Sequence, residues 1–246
     1  MNSGYYAACT GLMARAQALE TISNNLANVS TTGFRGSRNV FSSILANTGS
    51  APLSILNQDA NDYGVLSSTQ LDTSQGILLP TGNELDLGIE GPGYFQIKTA
   101  TGNAYTRGGS FRVSPQRQLV TSAGDLVMGA NGLPVTVIGA PVSISPDGTI
   151  STNGAISGKL KLVEFAPTVN MQSIGGNYYT APDTDALVAT RSQVRQGTLE
   201  SSNVNPVTTV VEMIAAQRDV ETMRRVLTMF SSEMDKSAAQ DLPRVS

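Results

Sequence analysis

Residues 205–236 constrain this chain more than any other stretch. Met213, Ala216, Val220, Met223, Leu227, Phe230 and Met234 follow one another at steps of three, four, three, four, three and four, which keeps a single apolar seam along one side of a helix. Asn205 offers a side-chain oxygen to cap the first turn, and Pro206 suits the first helical position, where a missing N–H costs nothing. No Gly or Pro interrupts the run before Pro243. A helix this long with one apolar seam is marginal alone in water and needs a surface to bury that seam against.

The other end of the chain carries a matching pattern. Tyr5, Ala8, Leu12, Leu19, Ile22, Leu26 and Val29 follow the same heptad, with Arg15 on one seam position. Gly4 and Gly11 weaken this first helix, and it is expected to stop between Asn28 and Gly33, where Asn, Ser, Thr and Gly accumulate. Both patterns also suit ordinary amphipathic helices on a globular core.

Between the ends the period changes to two. From Gly76 to about Gly197, turn residues recur every 8 to 12 positions, the mark of an all-β module. Strands are expected at Tyr94–Lys98, Phe111–Val113, Leu119–Thr121, Leu126–Met128, Val135–Ile138 and Leu160–Phe165, with turns at Thr101–Asn103, Ala130–Gly132 and Ser145–Gly148. The segment 37–75 reads as connecting structure. The expected fold class is therefore α+β: long N- and C-terminal helices pair as a coiled-coil-like core domain (1–36 and 196–246), and a central all-β domain of short antiparallel strands spans 76–195.

Composition argues against chemistry. The chain has 246 residues, no histidine and a single cysteine, Cys9, so it has no Ser-His-Asp or Cys-His arrangement, no histidine-based zinc site and no internal disulfide. Asp59 with Asp62, Glu84 with Asp86 and Asp183 with Asp185 are the carboxylate groupings, and none has calcium-loop spacing. The glycine runs Gly88–Gly93 and Gly154–Lys159 miss the phosphate-loop spacing and read as turns, and Arg107 with Gly108 and Gly109 reads as a bulge or tight bend. No catalytic, cofactor-binding or metal residue is assigned, and no cofactor or small-molecule substrate is expected. A net charge of -3 offers no basic field for nucleic acid or an anionic membrane. No run of about 18 apolar residues could span a bilayer, and the first residues lack the basic and apolar regions of a cleavable signal. Charged residues make up 14%, below the roughly 25% usual for soluble domains, which eases burial against neighbours.

Four blocks carry a resemblance. Ile22-Ser23-Asn24-Asn25-Leu26-Ala27-Asn28 followed by Thr32-Gly33-Phe34-Arg35 resembles the N-terminal signature of the bacterial flagellar rod and hook proteins. Glu90 to Ile97, Tyr105-Thr106-Arg107 with Ser110-Phe111, and Leu199-Glu200 with Ser202-Asn203-Val204-Asn205 agree in the same order. The resemblance implies a structural subunit of the flagellar basal-body rod, an axial shaft across the periplasm that carries torque from motor to hook. It implies export through the flagellar type III apparatus without a cleaved signal, and partners that are copies of the chain and neighbouring rod subunits. Leu12, Leu19, Ile22, Leu26 and the tail seam become the candidate assembly residues. Short length and the ending Asp241-Leu242-Pro243-Arg244-Val245 favour a proximal over a distal rod subunit. A hook protein, an exported β-structured adhesin and a carboxylate-dependent glycosidase are the remaining readings.

Overall fold

The computed structural model describes residues 3–42 and 65–241. Helix α1 (Ser3–Ala27) is followed by strands β1 (Ser37–Ser42), β2 (Val65–Leu71), β3 (Leu78–Pro80), β4 (Leu87–Glu90), β5 (Tyr94–Thr99) and β6 (Gly102–Thr106). Next come β7 (Phe111–Val113), β8 (Leu119–Thr121), β9 (Leu126–Val127), β10 (Val142–Ile144), β11 (Thr149–Thr152) and β12 (Ala155–Lys159). The chain then forms β13 (Leu162–Glu164), β14 (Gln172–Gly175), β15 (Tyr178–Thr180), β16 (Leu187–Val188), β17 (Gln193–Gln196) and β18 (Thr198–Glu200), and ends in helix α2 (Pro206–Asp241). Asp59, Asp62 and the ending after Asp241 lie outside the described residues.

The chain divides into two compact units: Met1–Leu26 with Ser37–Gln70 and Pro206–Ser246, and Ala27–Gly36 with Leu71–Asn205. In the second, or β, unit a nine-stranded sheet runs β14-β15-β6-β5-β9-β8-β7, with β13 paired to β5 and β16 paired to β13. Strands β10, β11 and β12 form a second sheet, and β4 with β17 and β3 with β18 form two-stranded ribbons. Because β5 is central, both its faces are covered: Phe95 and Ile97 enter the main core with Leu87, Ile89, Phe111 and Leu119, while Tyr94 joins Tyr105, Val163, Phe165 and Tyr179 in a second cluster. That explains an unbroken buried run where a half-exposed strand would alternate. The Ser145–Gly148 turn joins β10 to β11, with Gly148 N–H donating to the Ser145 carbonyl at 2.8 Å and Gly148 at φ 84°. Val135–Ile138, expected as a strand, forms no continuous ladder but is paired on both sides: Thr136 bridges Gln118, Val135 N–H donates to the Val127 carbonyl at 2.9 Å while its carbonyl accepts from Leu119 N–H at 2.9 Å, and Val137 N–H donates to the Arg117 carbonyl at 2.7 Å.

The helical unit corrects the expected coiled-coil core. Among the described residues there are two α-helices against eighteen strands, and the helices do not pair by their heptad seams. On α1 the buried stripe is Ala8, Gly11, Ala14 and Ala18, turned roughly 70° from the predicted seam at about 100° per residue. Leu12, Leu19, Ile22 and Leu26 are left half-buried. On α2 only Val220 of the seam is buried; Met213, Ala216, Met223 and Leu227 are half-buried and Phe230 is 44% exposed. Met234 lies within the helix. The reason is steric: small side chains let another element approach more closely than a leucine ridge does, so the alanine and glycine stripe takes the contact. A Cβ on Gly11 would lie 3.6 Å from Met223 Cε, and Arg15 Nη1 meets Asp219 Oδ2 at 3.4 Å. The unit also holds the β1-β2 ribbon, tied to α1 by Asn25, whose Nδ2 donates to the Ser37 carbonyl at 2.7 Å while its Oδ1 accepts from Ser37 N–H at 2.9 Å.

Because 3.6 Å is ordinary van der Waals contact, Gly11→Ala fits without displacement and removes a helix-weakening residue. It should stabilise the helical unit by about 1 kcal/mol, read as higher helical circular dichroism at elevated temperature. Lower helicity would show that the contact at Gly11 is tighter than described.

Candidate functional site

Three of the motif blocks converge inside the β unit on one carboxylate. Glu200 ends β18, and its side chain is 1% exposed. Its Oε1 lies 2.8 Å from Arg35 Nη2 and accepts a hydrogen bond from Gly76 N–H at 2.8 Å. Its Oε2 accepts from Arg107 Nη1 at 3.1 Å. Both arginine side chains are as buried as the glutamate. Arg107 is held further by the Ile89 carbonyl at 3.1 Å and by the Gly91 carbonyl, and its guanidinium lies 5.1 Å from the centre of the Tyr94 ring. Burial pulls the Arg107 pKa down from its ordinary value; Glu200 opposes that pull and Arg35 adds to it. Burial raises Tyr94 and Tyr179 in the same way.

Backbone bonds complete the knot. Gly33 N–H donates to the Glu200 carbonyl at 2.7 Å, and Arg35 N–H donates to Tyr179 Oη at 2.9 Å. Gly33 stands at φ +67°, and a Cβ there would lie 2.3 Å from the Arg107 carbonyl carbon, so only glycine lets the two chain segments touch. Asn203 uses its whole carboxamide: Oδ1 accepts from Gly36 N–H at 2.8 Å, and Nδ2 donates to the carbonyls of Asp72 and Ser74, each at 3.0 Å. Asp72 N–H in turn donates to the Gly36 carbonyl at 2.7 Å. The chain leaves the β unit after Gly36 and Asn205 and enters it at Leu71, so these bonds pin it within a few residues of three of its four crossings.

Thr32, Gly33 and Phe34 are therefore in the knot: Asn177 Nδ2 donates to the Thr32 carbonyl at 2.5 Å, and Phe34 is buried. Asn203 is in it as well, and Ser202 Oγ accepts from Val204 N–H at 3.2 Å beside it. Asn28 Oδ1 accepts from Thr31 Oγ1 at 3.1 Å. Asn24 and Ala27 are exposed positions of α1, and Asn205 is exposed ahead of α2. Arg35, Arg107 and Glu200 were not among the candidate residues. A signal for them did exist, since Arg35 and Arg107 each stand beside glycine and all three are charges inside the motif blocks of a chain with few charges.

Elsewhere, carboxylates serve as acceptors in turns. Asp86 is buried and accepts from Thr81 Oγ1 at 2.7 Å and Asn83 Nδ2 at 3.1 Å, while Glu84 accepts from Val142 N–H at 3.2 Å. Asp183 accepts from Tyr105 Oη at 2.6 Å and Asn103 Nδ2 at 3.0 Å, which holds its carboxyl below the usual range. It lines a cleft of about 570 Å³ with Gln96, Lys161, Leu162 and Val188.

Removing the negative charge from the knot leaves two buried arginines with no anion between them. Glu200→Gln should cost about 3–5 kcal/mol and lower the thermal midpoint on the order of 10 °C, measured by circular dichroism. A midpoint within a degree or two of the parent would mean the knot is not a dry ion cluster.

Comparison with known proteins agrees with the motif positions. Residues 6–35 match the family model described as flagella basal body rod protein, residues 88–152 the flagellar hook protein FlgE/F/G D1 domain, and residues 195–241 the flagellar basal body rod FlgEFG protein C-terminal model. The flagellar basal-body rod protein FlgF of Mesorhizobium japonicum is 30% identical over 241 residues, covering 96% of this chain and 97% of that protein. FlgF of Caulobacter vibrioides is 30% identical over the full length of both chains. The flagellar basal-body rod protein FlgG of Buchnera aphidicola subsp. Baizongia pistaciae is 34% identical over 92% of this chain and 95% of its own. Arg35, Arg107 and Glu200 fall one in each of the three matched segments, and with relatives aligned along almost the whole chain the protein belongs to the flagellar basal-body rod protein family.

Proposed function

We propose that this protein, a structural subunit of the flagellar basal-body rod, joins its neighbours through apolar stripes that its own fold leaves uncovered. One observation carries the proposal: α2 is apolar on two opposite faces. The seam from Met213 to Leu227 is buried or half-buried, whereas Val207 is 72% exposed, Val211 63% and Ile214 44%. At about 100° per residue these three lie roughly opposite the seam. The run Val207-Thr208-Thr209-Val210-Val211 is entirely β-branched, a poor choice for the solvent face of a helix and a good one for a packed face. Met13, 74% exposed, adds apolar surface on α1. Contiguous apolar surface left uncovered on a helix marks an interface.

Contacts between two different patches build an open helical shaft where the rotation from copy to copy does not close a ring, which suits a rod that carries torsion. The assembly element in this proposal is the helical unit, with Leu12, Leu19, Ile22, Leu26 and the α2 seam supporting the stripes. It is narrower than 1–36 with 196–246, because 27–36 and 196–205 fall in the β unit. The proposal extends to copies of the chain and other rod subunits as partners, to a position across the periplasm, and to passage through the flagellar type III export apparatus without a cleaved signal. Relatives named FlgF and FlgG match at similar identity, so it concerns a rod subunit without favouring the proximal place over the distal one.

Val211→Asp tests the proposal in cells. An exposed position tolerates the charge in the free subunit, with a stability change of about 0.5 kcal/mol or less, while a packed neighbour would have to bury it unpaired. The expected outcome is a folded, exported protein absent from purified basal bodies and a non-motile cell. Normal incorporation and swimming would overturn the proposal.

A further inference from the structure

Residues 27–36 lie in the β unit but continue at both ends into the helical unit, so they form a strap across it. The strap bonds beyond itself to side chains and backbone of Asp72, Asn177, Tyr179, Glu200 and Asn203. Without the strap, Arg107 and Glu200 remain as a matched pair, with Arg107 also bonded to two carbonyls and Glu200 to Gly76. Docking the strap adds Arg35 as a second cation, so one carboxylate then faces two guanidiniums in a site closed to water. The second cation is poorly met: Nη2 approaches Glu200 as an ion pair without hydrogen-bond alignment, and Nε and Nη1 are buried with no hydrogen-bond partner among the described residues. A buried charge without full compensation opposes the closed state, and local openings are drawn from the least favourable contacts of a fold.

We propose that the strap opens as a separate unit from a β unit whose charges balance without it, and that the unmatched charge of Arg35 sets how readily it opens. Opening would free the segment that follows the N-terminal helix while the sheet stays folded. This device does not depend on the assembly proposal above, because it concerns contacts inside one subunit.

Native-state hydrogen exchange on the full-length protein separates the two behaviours. The amides of Gly33, Arg35 and Gly36, bonded to Glu200, Tyr179 and Asn203, report on the strap, and those of Gln96, Leu119 and Val135 report on the sheet. The strap amides should exchange together and at least tenfold faster than the sheet amides. Arg35→Met, which keeps much of the volume and removes the charge, should slow strap exchange at least tenfold. Gly33→Ala, whose Cβ collides with the Arg107 backbone, should abolish strap protection and leave the sheet amides protected. Exchange of strap and sheet at one common rate would overturn the proposal, as would an unchanged or faster strap in Arg35→Met, or loss of sheet protection in Gly33→Ala.

Discussion

Glu200 supplies the negative charge for two buried arginines that reach it from residues 35 and 107, and that arrangement fixes where three distant chain segments meet in the β unit. A carboxylate 1% exposed is tolerable only when its charge is met, and here the Arg107 guanidinium and the Gly76 amide hydrogen-bond it while Arg35 adds a second cation at 2.8 Å. The same residue accepts from Gly33 through its carbonyl, so one position ties the segment after α1 to the segment before α2 with both side chain and backbone. Asn203 repeats the device with a neutral group, bonding Gly36, Asp72 and Ser74. Such polar contacts are directional, so they fix where the chain passes more sharply than apolar packing does.

That division of labour suits a subunit of a shaft. The β unit has its own core, built on β5 with apolar clusters on both faces, and needs nothing from the helices to complete it. The helical unit is the reverse: its internal contact runs through alanines and a glycine on α1, and much of its larger apolar surface is left half-buried or exposed. One unit satisfies its own apolar surface and the other does not, which is the contrast the assembly proposal builds on.

Much of the fold was legible in the sequence because periodicity reports burial. The change from a period of three to four to a period of two located both helices and five of the eighteen strands, and Pro146 with Gly148 located a turn. The coiled-coil expectation failed at α1 because a heptad of leucines and a stripe of small residues lay about 70° apart on the same helix, and periodicity weighs size whereas close approach rewards its absence. Val135–Ile138 pairs with Arg117, Gln118, Leu119 and Val127 through separate bonds and bridges rather than as the continuous strand its alternation suggests. The knot was missed for another reason. Arg35, Arg107 and Glu200 are far apart in sequence, no spacing rule links them, and a lone charge among glycines reads as a turn. Motif resemblance pointed to the right stretches but emphasised their asparagines and glycines rather than the charges between them.

The account rests most heavily on the coupling between Arg107 and Glu200. A double-mutant cycle with Arg107→Met, Glu200→Leu and the pair together, followed by denaturant unfolding of each full-length protein, isolates it. We expect each single substitution to be severely destabilising, the double to be far milder than their sum, and the coupling to reach about 2–3 kcal/mol. Additive effects within about 0.5 kcal/mol would contradict a dry charge knot at the centre of this structure.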